Sequence, residues 1–354
     1  SRVHVHKGKW LGERSLLGRP TAFISAFLSY REEWSPERLK ANEGLAYQGS
    51  IVLGMGFVLS PDDARRMLDT DPRNAEVIFP YINGDDLNSD PGQNPSRWVI
   101  NFWDWSEERA QEYELPWQWI EERVKPERQR LNERGEFVLR KPLPERWWQF
   151  GEKRPGLYHA IGRGHHFERH PDGWDTTTPA HAYVMVCSEV TKHLAFALIP
   201  NNYIMSANLD VFTDEDRFGF CQSSLHEVWA RQHSSKLESR LKYSPGNALE
   251  TFAFPAGFPD TKCSSLGELG SQLHQARAKI MQADGIGLTK LYNRFHAANE
   301  HDPRVEGLRA LHRALDIAAV CAYGWDDLRL EHGFHEVSYL PENDRVRFTI
   351  SEAA

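Results

Sequence analysis

The chain has 354 residues, 40% hydrophobic and 26% charged, with a formal net charge of −8. That composition fits a folded protein of one large or two ordinary domains, with twelve tryptophans to fill a core. No apolar run approaches the ~20 residues of a membrane helix, and no charged-then-apolar leader precedes a cleavage site.

Residues 1–45 read as an entry arm in which FISAFLSY is a candidate strand. The start at Ser1 rather than Met marks the chain as processed or as a fragment of something longer. Tyr47–Leu59 (YQGSIVLGMGFVL) is strand-turn-strand material, β-branched residues interrupted by glycines. Ser60-Pro61-Asp62-Asp63 starts a helix, with Ser as cap, Pro first and acids in the first turn, and that helix ends before Asp71-Pro72. Val77–Asn88 predicts a strand followed by an Asn-Gly turn. Arg97–Trp105 predicts a strand that is apolar on both faces, and Ser106-Glu107-Glu108 starts a long solvated helix to about Asn132.

A Pro/Trp-rich link leads to residues 162–181, an irregular insertion. From Tyr183 the pattern turns to β: YVMVCSEV, HLAFALI and YIMSANLDVF, with Pro200-Asn201-Asn202 as a hairpin link. Asp214-Glu215-Asp216 opens a helix to about Ser234, followed by an extended link. Residues 264–322 are helical by their three- and four-residue apolar steps, with Gly285 and Gly287 ending one helix and Asp302-Pro303 starting another. The expectation is an α+β fold, a mixed and antiparallel sheet domain over 46–260 followed by a C-terminal helical region over 261–354.

The catalytic motifs searched for are missing. No Gly-rich phosphate loop follows a strand. Asn94-Pro95-Ser96-Arg97 lacks the second proline and the aromatic of an amino-methyltransferase loop, and Glu189 with Lys192 lacks the aspartate of a nuclease. Cys187, Cys221, Cys263 and Cys321 match no zinc or redox spacing and read as free buried thiols of a cytosolic protein. His4 with His6, and His165, His166 and His170, are not completed into a four-ligand metal site.

Nucleic acid is the remaining chemistry. The acidic balance argues against it, yet residues 121–170 carry 12 Lys/Arg against 8 Asp/Glu, so a basic face on an acidic body fits. Trp147-Trp148 followed by Lys153-Arg154 either fills the core or places aromatics and cations at one surface. Ser223, Ser224, His226, Arg231, Ser234, Ser235 and Lys236 lie on or just after one helix and suit phosphate contact. Glu238 and Arg240, two apart in an extended link, share a face; arginine reads guanine and a carboxylate accepts from the cytosine amino group. An ordinary surface ion pair is the plain alternative for them.

Seven segments then stand in one order: YQGSIVLGMGFVLSPDDA, VIFPYINGDDLNS, PSRWVINFWDW, WWQFGEKRPGLY, SEVTKHLAFALIP, QSSLHEVWA and YSPGNALETFAFP. That order resembles the target recognition region of MmeI-like (type IIL) DNA adenine methyltransferases and of related phage-defence methyltransferases of DISARM and BREX type. The tail, GLTKLYNRFH and LRALHRALDIAAVCAYGW, resembles the segment that follows it there. Two departures stand out: Glu189 replaces an arginine expected in many relatives, and the 162–181 insertion is longer.

The resemblance implies a sequence-specific reader of duplex DNA in a restriction-modification or phage-defence system. An upstream domain of the same protein would bind S-adenosylmethionine and methylate adenine, and other defence subunits are expected partners. This segment alone would hold no catalytic residue, metal or cofactor. The expected base contacts are Glu189, Asn208, Glu238 and Arg240. Phosphate contact or support falls to Lys192, His193, Ser223, Ser224, Arg231, Lys236, Lys242, Tyr243, Lys153 and Arg154. A rival expectation is a protein-interaction module that docks subunits of a defence complex, which the acidic charge and helical tail would suit.

Overall fold

The computed structural model describes residues 8, 10, 12–16, 19–22, 24, 36–171, 174, 180–237, 240–258, 264–337 and 339–352. Two compact units are present, Ser1–Glu37 and Arg38–Ala354. In the first, β1 (Ser15–Leu16) and β2 (Arg19–Pro20) pair antiparallel. Most of FISAFLSY, together with His4, His6 and Cys263, lies outside the described residues.

The second unit is α+β. One antiparallel sheet orders β3 (Ala46–Gln48), β11 (Leu209–Phe212), β7 (Tyr183–Ser188) and β9 (Ala197–Pro200). A second, mixed sheet orders β10 (Ile204–Met205), β5 (Ile78–Ile82), β6 (Arg97–Ile100) and β4 (Val58–Leu59), with β10 parallel to β5. A third holds β12 (Ser235–Leu237), β13 (Arg240–Lys242) and β8 (Val190–Thr191). Near the end of the chain, β14 (Gly333–Glu336) pairs with β15 (Val346–Thr349), a hairpin that sequence patterning missed.

Helix α1 (Pro61–Thr70) begins as its sequence dictates: the Ser60 hydroxyl accepts from the Asp63 amide at 3.1 Å. Four other expectations need correction. Asn83-Gly84 is not a turn: the Asn83 side chain and Asp86 form a capping box that starts α2 (Gly84–Ser89). The long helix after Ser106 is three pieces, α3 (Glu107–Gln111), α4 (Glu114–Arg123) and α5 (Lys125–Arg128). Pro116 and Pro126 sit near the start of α4 and α5, where a missing N–H costs nothing. Trp117, Ile120 and Val124 are buried, so this region is not a solvated face.

Pro200-Asn201-Asn202 is not a hairpin link either, because β9 and β10 belong to different sheets. The buried Asn201 amide pins the crossing, donating to the carbonyls of Ile161 and His181. After α6 (Pro155–Ala160), the expected 214–234 helix is broken at Ser223, whose extended backbone separates α7 (Phe218–Gln222) from α8 (Ser224–His233).

A short α9 (Pro245–Ala248) precedes the tail helices α10 (Ser264–Asp284), α11 (Leu288–Phe295) and α12 (Pro303–Ala322). Gly285, at φ 63°, lets the chain reverse after α10. The change of style near residue 260 lies inside the second unit, and the tail is fastened to the sheets by a buried cation. Arg277 of α10 donates to the Phe196 carbonyl at 2.6 Å and to Gln222 Oε1 at 2.9 Å. Trp147 and Trp148 are buried in the core, where Trp147 packs on Trp117 at 4.8 Å between ring centres.

Candidate nucleic-acid interface

The segment after α8 is a hairpin rather than an extended link. Lys242 pairs with Ser235 and with Val190, and Leu241 pairs with Thr191. Strand alternation then sorts β13 into an inner Leu241, buried, and outer Arg240 and Lys242, both exposed. Arg240 also makes an interaction within the chain. Glu238 and the Lys236 side chain lie outside the described residues.

Glu189 joins this face. Its Oε1 lies 3.2 Å from the Lys242 Nζ. Its backbone is held from both sides, by the Asn208 carbonyl at 2.9 Å and the Tyr243 amide at 2.7 Å. Asn208 follows directly: its Oδ1 accepts from the Gly84 amide at 3.0 Å and from Ser206 Oγ at 2.7 Å. The Asn208 amide nitrogen meets no partner among the described residues. Arg240, Lys242, Glu189 and Asn208 therefore run as one connected surface.

The turn that carries Asn208 is rigidly seated. A Cβ on Gly49 would stand 2.2 Å from the Ser206 carbonyl oxygen, so only glycine permits this approach. Gln48 Nε2 donates to the Ala207 carbonyl at 2.9 Å, and its Oε1 accepts from Arg154 at 2.6 Å. Arg154 is also paired with Glu152 at 2.7 Å. Its role here is to buttress the Asn208 turn.

Beneath this surface lies a residue that the sequence reading passed over. Asp210 on β11 is 3% exposed, and its Oδ2 has no partner among the described residues. Burial first, and then the charge of Glu189, push its carboxyl well above the usual carboxylate range, while Lys242 pulls the other way. One acidic residue inside the apolar run Leu209–Phe212 was the available signal.

The remaining expected residues form a supporting belt. Lys192 Nζ lies 3.0 Å from Asp344 Oδ2 and donates to Asn293 Oδ1. His193 is buried between donor and acceptor: Arg347 donates to its Nδ1 at 3.2 Å, so Nε2–H donates to Asn293 at 2.9 Å. Burial and the Arg347 charge lower its pKa to about 3. Arg231 donates to Glu227 Oε1 and to the Lys192 carbonyl, and stacks over Tyr339 at 4.4 Å.

Ser223 is buried and caps α8, while the Ser224 amide donates to Asp316 Oδ1 at 2.7 Å. The Tyr243 hydroxyl meets His226 Nε2 at 3.0 Å in the core. His193, Ser223 and Tyr243 are buried and bonded internally, which makes them supports and leaves them no surface for DNA. The half-buried Lys153 donates to Gln149 Oε1 at 3.0 Å, away from Arg240 in the hydrogen-bond pattern.

Known proteins share this sequence pattern and fold. The family model "MmeI, target recognition domain" matches residues 43–256. Among solved structures, the type IIL restriction-modification enzyme MmeI in complex with DNA is similar in fold, with a TM-score of 0.60 and 16% identity. The match covers 86% of this chain and 36% of that one, so the chain spans little more than a third of that structure's length. No curated protein matches the chain.

Proposed function

This chain belongs to the MmeI target recognition domain family, and from that premise we propose that it reads the sequence of duplex DNA for a type IIL-like restriction-modification enzyme. The observation that carries the reading is the line of exposed Arg240 and Lys242, half-buried Glu189 and exposed Asn208 along the small three-stranded sheet β12-β13-β8 and the turn beside it. The β12–β13 hairpin at the edge of this sheet is the part narrow enough to enter the major groove. Arginine takes guanine O6 and N7, asparagine takes adenine N6 and N7, and a carboxylate accepts from the cytosine amino group. Glu238, expected from the sequence and outside the described residues, completes the proposed set.

Arg231, donating to the Lys192 carbonyl next to β8, and Lys192, held by Asn293 and Asp344, brace the sheet, while Ser224 ties α8 to α12 through Asp316; Lys242 serves both as phosphate donor and as partner of Glu189. The reading assigns methyl transfer to a domain outside this segment, which would bind S-adenosylmethionine and act on a flipped adenine. It places the whole protein in the cytoplasm, in restriction-modification or phage defence.

The test is binding of the chain to duplex DNA across a salt series. Neutralising several phosphates gives a steep fall of affinity with salt. A chain that binds no duplex at low salt would refute the proposal and favour a protein-docking module.

A further inference from the structure

A second feature lies away from the hairpin, in a cleft of about 640 Å³ bounded by the 104–108, 146–155 and 167–171 segments. That size suits a small ligand or one group of a larger one. Trp105 and Trp148 are tied together on its wall, the Trp148 indole donating to the Trp105 carbonyl at 3.0 Å. The cations here are Lys153, Arg146 and Arg169. None of the three is paired with a carboxylate among the described residues. Arg109, which holds the cleft residue Glu168, is by contrast paired with that carboxylate at 2.8 Å.

No carboxylate of the cleft forms an ion pair with these three cations among the described residues. Asp104 accepts the backbone amides of Glu168 and Arg169 at 2.8 and 3.0 Å, and Glu168 is held by Arg109 at 2.8 Å. The Lys153 ammonium is pushed below its ordinary pKa, first by burial and then by Arg146; Asp104 opposes this, and Arg169 and Arg128 add to it. Glu107 and Glu108 also line the cleft but are not among the charges that weigh most on Lys153. Arg128, 1% exposed, has an Nη1 that meets no acceptor among the described residues. A half-buried ammonium with one amide partner, in a cleft also lined by two guanidinium groups that have no carboxylate partner among the described residues, is a site short of an anion.

We propose that this cleft binds a phosphate group, with Lys153, Arg146 and Arg169 as the donors, and that the phosphate is a phosphodiester of the DNA backbone. The choice of DNA as its source rests on the target-recognition reading; the phosphate chemistry does not. Such a contact sets the register of the protein on the duplex without reading a base. It lies apart from the Arg240 strand in sequence and in hydrogen-bond connection, so a phosphate held there would be a contact separate from the base-reading one.

Two measurements on the full chain test this. Thermal unfolding is followed in pyrophosphate and in chloride at matched ionic strength, for the wild type and for Lys153→Gln, Arg146→Gln and Lys153→Arg. Pyrophosphate should raise the midpoint of the wild type and of Lys153→Arg, and this gain should be lost in Lys153→Gln and reduced in the exposed Arg146→Gln. The slope of log affinity for duplex DNA against log salt should also fall by about one unit in each Gln variant.

An unchanged slope in variants that have lost the pyrophosphate effect would overturn DNA as the source and leave a free phosphate-bearing ligand. No pyrophosphate effect in the wild type would overturn the site. A wild type that responds to pyrophosphate but binds no DNA would keep the site and reject the target-recognition reading.

Discussion

Replacing Asp210 with Asn isolates the one acid buried beneath the proposed recognition surface. The fold holds a proton on this carboxyl that the unfolded chain releases above about pH 4. The folded state therefore binds more protons than the unfolded state, and stability falls as pH rises through that window, until the pH reaches the folded pKa. Each pH unit above about 4 over which the fold keeps this proton costs about tenfold in the folding constant, about 1.4 kcal/mol.

Asparagine has nearly the shape of the neutral acid and does not titrate, so Asp210→Asn should gain on the wild type by that slope as pH rises. Urea unfolding of both proteins at pH 5, 6 and 7 measures it, with contributions from all other groups cancelling in the difference. Lys242→Gln should extend the slope to higher pH, because the Lys242 charge favours the ionised acid. A stability difference that does not change with pH would refute the reasoning.

Three buried histidines act in another window. His193, His226 and His312 have their pKa values lowered to about 3, chiefly by burial, so below about pH 6.5 the unfolded chain takes up protons that the fold refuses. In the Asp210→Asn background, stability at pH 5.5 should be lower than at pH 7 by roughly 1 kcal/mol per histidine, read by urea midpoints, and constant stability would contradict this. Gly49→Ala should cost about 1–3 kcal/mol and weaken DNA binding by shifting the Asn208 turn, seen as a lower Tm with a lower affinity. Arg240→Ala should relax preference at one base position by about 1–3 kcal/mol; equal weakening on every duplex would reject base readout by Arg240.

Local signals survived folding where chemistry is local. Ser60-Pro61 and Asp302-Pro303 open helices because caps and a missing N–H act within four residues. The strands from Tyr183 to Phe212 followed from apolar runs, and the family order from seven short segments. Long-range pairing was not legible. Nothing within 201–203 says that β9 and β10 join different sheets; that is set by Asn201 meeting Ile161 and His181. Ser223 looks like any helical serine until its hydroxyl is seen capping α8.

The same holds for the site. Glu189, Asn208, Arg240 and Lys242 were named from the sequence, but the hairpin that unites them depends on β8 pairing with β13, some fifty residues away. Asp210 was passed over because a strand acid is ordinarily exposed, and its burial comes from the sheet stacked around it.

The central claim is that this chain selects a DNA sequence. Incubating it with a pool of random duplex DNA at two salt concentrations, and sequencing the bound fraction, tests that most directly. An enriched motif that survives the higher salt, and that loses one position in Arg240→Ala, is the predicted result. Bound DNA with the base composition of the starting pool at both salts would contradict it.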